Sequence, residues 1–324
     1  METGRVIHGN HGGVAGGNFV HHFFSKNALR ALAIKTYDGS GQAMHPKVLY
    51  FKNGWNGWNY WMSYTPYPNT NDKYENPSLA VSQDGVTWTI PKGLRNPVIG
   101  SPADVRSGGH NSDPDLVMCG RTMELWYLYN PARRHGGQAD SSINRIYMMA
   151  SVNGTRWTAP RLVLSGGYMY YSPAVLYDSG WKVWFSNDDG KLYFTESADL
   201  TTWTNPVAVS LGITGFDIWH QDIIRTCQGY KIIFSAYRKG QFDLDNQRLY
   251  YAFSRDGLRF SAPYMILAPS SGADRLDNRM IYRSSILDVN GSSSIYYSAM
   301  SRKGEWHIFL THLNMPKITP VYGS

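Results

Sequence analysis

The sequence predicts an all-β chain folded as a five-bladed β-propeller, and three observations carry that prediction. A serine, a tight turn and an aromatic ring recur as "SQDGVTW" (82–88), "SVNGTRW" (151–157), "SADLTTW" (197–203) and "SRDGLRF" (254–260). Upstream of each copy lie short runs of β-branched and aromatic residues bounded by Gly, Asn, Asp or Pro, the composition of strands. No segment holds a 3.6-residue apolar period over three turns. Repeated units of roughly 45 to 70 residues, each with three clear strands and room for a fourth, describe radially repeated sheets; a sandwich would not repeat.

The first unit reads "HPKVLYF" (45–51), "YWMSYTP" (60–66) and "PSLAVS" (77–82), and the second "DPDLVMC" (113–119), "MELWYLY" (123–129) and "RIYMMAS" (145–151). The third reads "SPAVLYD" (172–178), "KVWFSN" (182–187) and "LYFTES" (192–197), and the fourth "HQDIIRTC" (220–227), "YKIIFSAY" (230–237) and "RLYYAFS" (248–254). A more degenerate fifth has "RSSILDV" (283–289), "SIYYSAM" (294–300) and "WHIFLTH" (306–312). In the recurring turn, Asp-Gly or Asn-Gly supplies positive φ, Ser and Asp bond the turn backbone, and the aromatic ring fills the gap between blades. The predicted organisation is an N-terminal Gly/His-rich arm (1–40), the propeller (41–315) and a C-terminal tail (316–324).

Hydrophobic residues at 42% and charged residues at 17% describe a chain with ample core. A formal charge of +7 favours a polyanionic partner, expected here to be a cell-surface polysaccharide or teichoic-acid-like polymer; no Lys/Arg run is long enough to indicate nucleic acid. No export signal is legible, and no run of about 18 apolar residues suggests membrane insertion. Cys119 and Cys227 fall in alternate units, too far apart for a bridge, and read as buried free thiols.

In a propeller the first strand of each blade lines the central channel, and the start of that strand rings the mouth where ligands bind. By this alignment the mouth ring is His45, Asp113, Ser172, His220 and Arg283. Trp55 and Trp58, among Gly and Asn residues ahead of a strand, are candidates to stack on a sugar. Glu75 reads as a solvated or turn-bonding carboxylate. No histidine shows a tight metal-ligand spacing, so no metal or cofactor is expected, a structural cation in the funnel being the one kept open. The glycine-rich "HGNHGGVAGG" (8–17) lacks the strand and helix of a phosphate loop. Ser172 lacks a nucleophile-elbow context.

The recurring turn resembles the sialidase Asp-box without its spacer between Asp and Gly. Together with "DPD" at the start of a first strand, it makes the chain similar to the five-bladed glycosidases of family 43 and their relatives. That resemblance implies an Asp on blade one, an Asp on blade two and a Glu on blade three. Only Asp113 matches; His45 and Ser172 occupy the other two positions. Glycoside hydrolysis normally uses two facing carboxyl groups, so a second would have to come from Asp115, Asp188, Asp217 or Asp222. The related family-117 enzymes use a His as the acid, which implies an Asp113/His220 catalytic dyad. A second resemblance, carried by "NGWNGWNYWMSYTPYPN" (53–69) with "SDPDLV" and "SPAVLY", is to propeller modules of phage and prophage tail proteins, including staphylococcal receptor-binding platforms. It implies a homotrimer in the virion tail, bound to other tail or baseplate proteins and adsorbing to a host glycan. On the sequence alone adsorption leads and glycoside hydrolysis is the alternative.

Overall fold

The structure, a computed structural model, describes residues 25–131, 144–240, 245 and 247–313. Blade one is β1 (Ala43–Trp55), β2 (Trp58–Pro66) and β3 (Ser78–Ser82); blade two is β4 (His110–Cys119), β5 (Thr122–Asn130), β6 (Arg145–Ser151) and β7 (Arg161–Ser165). Blade three is β8 (Tyr171–Tyr177), β9 (Trp181–Ser186), β10 (Leu192–Ser197) and β11 (Val207–Ala208), and blade four is β12 (Phe216–Thr226), β13 (Gly229–Arg238), β14 (Arg248–Ser254) and β15 (Tyr264–Leu267). Blade five is β16 (Met280–Val289), β17 (Ser292–Met300) and β18 (Trp306–Leu313). Each blade is an antiparallel meander in chain order. The first strands β1, β4, β8, β12 and β16 adjoin one another in a closed ring, which makes the predicted five-bladed propeller.

The recurring turn is the joint between blades. Ser82 Oγ accepts from the backbone N–H of Asp84 and Gly85, while Asp84 Oδ1 accepts from Val86 and Thr87. Those charge-assisted bonds pull the Asp84 carboxyl well below its usual range. Gly85, Gly154 and Gly257 take φ of +75°, +73° and +76°. An aromatic residue of the preceding blade lies against each: a Cβ on Gly85 would meet the Tyr296 hydroxyl at 2.6 Å, on Gly154 the Trp61 ring at 2.1 Å, and on Gly257 the Trp184 ring at 2.9 Å. These positions need glycine for its φ and for its missing side chain. Trp61, Trp126 and Trp184 are each at most 1% exposed. At about 25 cal/mol per Å² and roughly 200 Å² per indole, each contributes on the order of 5 kcal/mol of apolar burial.

Below the mouth the channel is closed by polar side chains. Lys47 Nζ lies 2.5 Å from Asp222 Oδ1 and 3.5 Å from Asp115 Oδ1, and all three residues are at most 3% exposed. Asp115 Oδ2 accepts from Val175 N of blade three at 2.6 Å, Asp222 Oδ2 from Ile286 N of blade five at 2.9 Å, and Ser285 Oγ from Val48 N of blade one at 3.1 Å. Asp115 and Asp222 therefore join blades and face Lys47; neither swings in from a loop to serve as a second carboxylate at the mouth.

Residues 25–36 of the expected arm pack across the outer strands: Ser25 N donates to Ile266 O, Ala28 N to the Tyr297 hydroxyl and Leu32 N to Ile308 O. Residues 1–24, with the glycine-rich stretch, and the tail at 316–324 lie outside the described residues. The cysteines are free, yet they are not buried as the sequence suggested. Cys119 is half-buried at the end of β4 and Cys227 is exposed, because β12 ends at Thr226 and Cys227 falls in the hairpin turn. Among the described residues no helix is long and apolar enough to cross a membrane.

Candidate functional site

Each first strand carries a β-bulge at its mouth end: between Met44 and Lys47, Ser112 and Asp115, Tyr171 and Ala174, Ile218 and His220, and Ile281 and Ser284. A bulge interrupts alternation and re-aims side chains. In blades one to three the bulge is an X-Pro pair, and X takes the left-handed region at φ +57° for His45, +51° for Asp113 and +51° for Ser172. Such backbone costs about 1–3 kcal/mol per non-glycine residue and gathers where side-chain placement matters. In blades four and five the bulge turns Trp219 with His220, and Tyr282 with Arg283, to the same place.

The predicted mouth ring therefore forms one buried layer, with His45, Asp113, Ser172, His220 and Arg283 each at most 4% exposed. Asp113 is its hub. Its Oδ1 lies 3.6 Å from His45 Nε2, 3.2 Å from His220 Nδ1 and 3.3 Å from Arg283 Nη1, and Oδ2 accepts from Ser112 Oγ at 3.0 Å. Arg283 Nη2 donates to Pro173 O at 3.0 Å. Ser172 contributes its carbonyl, which accepts from Gln221 Nε2, while its hydroxyl is buried without a hydrogen bond.

Three residues beyond the expected ring complete the layer. Glu75, only 4% exposed, approaches His45 Nδ1 at 3.2 Å through Oε1 and His110 Nε2 at 3.7 Å through Oε2. It is thus a buried partner of the ring, not the solvated carboxylate its loop position suggested. Tyr282 stacks on His45 with centroids 5.5 Å apart and meets His220 edge-on at 4.1 Å; its hydroxyl accepts from Trp219 Nε1 at 2.8 Å. Trp219 and Tyr282 each immediately precede a ring residue in the sequence, and an aromatic neighbour at that spot was the available signal.

Trp55 and Trp58 lie elsewhere. They flank the β1–β2 hairpin at the far end of the strand from His45 and pack on the core between blades one and two, Trp55 meeting Trp61 edge-on at 5.1 Å. The first strand continues to Trp55 past a second irregularity after Tyr50, so the expected sugar-stacking loop is a hairpin on the opposite face.

Burial separates the protonation states within the layer. It lowers His45 and His220 below the ordinary 6.5, against the pull of Asp113, so both rings are neutral near pH 7. Burial would raise Asp113, but the adjoining imidazoles and Arg283 outweigh it and hold the carboxylate ionised. Glu75 is pushed well above the carboxylate range, first by burial and then by the Asp113 charge. Burial likewise keeps Tyr282 protonated.

His45, Asp113 and His220 each offer one donor atom within 4.8 Å of the others, the one such cluster among the described residues able to hold a metal ion. His45 Nε2 and His220 Nε2 are buried and make no hydrogen bond, while His220 Nδ1 faces the Asp113 carboxylate at 3.2 Å, so each ring keeps a nitrogen free for a ligand. Two neutral imidazoles and a carboxylate suit zinc, iron or manganese. Glu75 behind His45 is the outer carboxylate that commonly fixes a ligating ring. Linear spacing hid this set because its members come from blades one, two and four.

No known protein-family model matches the chain. It is 28% identical over 317 residues to an A type blood N-acetyl-alpha-D-galactosamine deacetylase of Flavonifractor plautii, across 81% of this chain and 40% of that protein. The chain thus spans well under half the length of this relative. The crystal structure of an N-acetylgalactosamine deacetylase from F. plautii in complex with blood group B trisaccharide superposes with a TM-score of 0.76 at 22% identity, over 89% of this chain and 94% of that one. An exo-1,5-alpha-L-arabinanase from a bovine ruminal metagenomic library gives 0.59 at 14% identity, over 85% and 94%. A xylan beta-1,4-xylosidase of Bacillus halodurans gives 0.64 at 13% identity, over 85% and 53%. At these identities the structures establish a shared five-bladed fold.

Proposed function

We propose that the chain is a carbohydrate-active hydrolase that removes the acetyl group from an N-acetylated hexosamine at the channel mouth. The carrying observation is the buried His45/Asp113/His220 cluster with unused imidazole nitrogens, in a chain 28% identical to an N-acetylgalactosamine deacetylase. A divalent ion held by these three residues would polarise an amide carbonyl and bring water to a reactive pKa near neutral pH. The protein's own residues supply the rest. Ionised Asp113 balances positive charge, Glu75 and Thr65 fix the orientation of His45 from its Nδ1 side, and Arg283 anchors Asp113. Tyr282 keeps its hydroxyl proton and can donate it to a substrate oxygen. Tyr282, Trp219 and Trp306 wall the site with aromatic rings, Trp219 Nε1 donating to the Tyr282 hydroxyl at 2.8 Å and the Tyr282 and Trp306 centroids lying 5.0 Å apart.

Glycoside hydrolysis is the second reading, through Asp113 and His220 as the sequence suggests or with Glu75 in place of His220, and one observation favours the Glu75 form: Glu75 and Asp113 flank His45 with their affinities for protons pushed apart, as acid and base pairs require. Adsorption as a homotrimeric tail protein of a virion draws no support from the relatives described above, all of them carbohydrate enzymes. The deciding experiment supplies N-acetylgalactosaminides and N-acetylglucosaminides, free and polymeric, and follows acetate and new reducing ends separately. Acetate without reducing ends supports deacetylation. Reducing ends replace it with glycoside hydrolysis, and binding with neither product returns the chain to adsorption.

A further inference from the structure

A cleft of about 560 Å³ opens on the face opposite the mouth, between the β8–β9 hairpin and the turn after β10, lined by Trp181, Trp203, Asp178, Glu196, Ala198 and Asp199 among others. β8 leaves the mouth at Ser172 and reaches this hairpin six residues later, about 20 Å away. The volume lies in the range of small-ligand sites.

The blade-three turn departs from the joint seen in blades one and two. Trp88 Nε1 donates to Gly85 O and Trp157 Nε1 to Gly154 O, so the indole closes its own turn. In blade three the left-handed position carries Leu200 at φ +61°, a strained place for a branched side chain. Its carbonyl accepts from Arg161 Nη2 at 3.3 Å, and Trp203 Nε1 is left buried without a hydrogen bond. Beside it, Trp181 is fixed by the 4%-exposed Glu124, whose Oε2 accepts from Trp181 Nε1 at 2.8 Å and from Trp126 Nε1 at 3.0 Å. Trp181 is thus held by a hydrogen bond and Trp203 by packing against Trp126, 6.3 Å between centroids, at the edge of a cleft whose rim carries three carboxylates and Lys182. Asp178 is paired with Lys182 and Arg225, and Asp199 caps the turn.

We propose that this cleft is a second glycan subsite, taking one non-acidic pyranose with its apolar face on the Trp181 and Trp203 rings and its hydroxyls, or an amine, toward the carboxylates. Indole faces suit the C–H face of a sugar, and Glu196, the rim carboxylate that among the described residues neither makes an ion pair nor caps a turn, accepts hydroxyl or ammonium protons and disfavours a uronate or sulfate beside it. The subsite does not depend on what the mouth catalyses, and it would tether the protein to a polymeric glycan while the mouth works on another unit.

The test is indole ¹⁵N NMR of the whole chain, its Trp181 and Trp203 cross-peaks assigned with Trp181→Phe and Trp203→Phe. The probes are the methyl pyranosides of glucose, galactose, galactosamine, N-acetylgalactosamine and galacturonic acid. We expect saturable shifts of both cross-peaks with at least one non-acidic sugar. Ala198→Trp, which fills the cleft from an exposed position, should weaken that binding by about tenfold or more and leave acetate release from a small substrate unchanged. The proposal is overturned if neither cross-peak moves with any sugar, if galacturonide shifts them equally, or if the shifts survive Ala198→Trp. Absence of acetate release would sink the mouth reading and leave these outcomes as they stand.

Discussion

Glu75 Oε1 lies 3.2 Å from His45 Nδ1, while Nε2 of the same imidazole faces Asp113 Oδ1 at 3.6 Å. The ring is thereby held from behind and presents its free nitrogen to the centre. Outer carboxylates of this kind typically affect activity or ion affinity by about 10–100-fold. Glu75→Ala is therefore expected to lower kcat/KM by that factor with the fold intact by circular dichroism, and Glu75→Gln, which keeps an acceptor, to lose less. Equal losses from both variants would remove the orienting role.

The pH dependence follows from the two histidines. Both are lowered below 6.5 when folded, so the unfolded chain holds more protons between those values and 6.5. Stability from this source is full above about 6.5 and is lost as the pH falls through the folded values. Glu75 runs the other way: raised above 4.5, its contribution is present below that pH and lost as the pH climbs through the folded value. Since only neutral imidazole offers a lone pair, kcat/KM should hold steady from neutrality down to about 6.5 and fall below it. A pH–rate profile whose acid limb is centred at or above 6.5 would contradict these assignments.

Lys47 faces two buried carboxylates, each of which also stitches a neighbouring blade. Lys47→Met leaves Asp115 and Asp222 without their cation and should cost about 3–5 kcal/mol, the usual penalty for breaking a buried pair. Urea denaturation should show a lower midpoint with an unchanged slope. A loss under about 1 kcal/mol would mean that the channel admits enough water to screen the pair.

Gly154 and Gly93 separate two demands on glycine. Both have positive φ, +73° and +89°, but a Cβ on Gly154 meets Trp61 at 2.1 Å, whereas nothing lies within 4 Å of one on Gly93. Gly93→Ala should cost only the backbone term, about 1–2 kcal/mol, and Gly154→Ala distinctly more. Equal losses by denaturant titration would show that Trp61 moves aside freely.

The blade count and the mouth ring were legible because a tight turn recurs in sequence and because strand starts follow Gly, Asn and Pro boundaries. His45, Asp113 and Ser172 even share a following proline. The bulges were not legible, since strict alternation turns only one of each adjacent pair inward, and this hid Trp219 and Tyr282. Glu75 was hidden for another reason: it lies between short 3₁₀ turns and β3, where nothing local distinguishes a solvated acid from one folded over the channel. The length of β1, which carries Trp55 away from the mouth, depends on an irregularity that composition does not record.

The most direct measurement is kcat/KM for acetate release from an N-acetylgalactosaminide by the native chain and by Asp113→Ala, with reducing ends followed in parallel. Asp113 is the hub on which two imidazoles and Arg283 converge, so its removal should lower acetate release by about a thousandfold or more, several kcal/mol of transition-state stabilisation. Retention of activity within tenfold, or no acetate from the native chain, would contradict a hydrolytic site centred on Asp113.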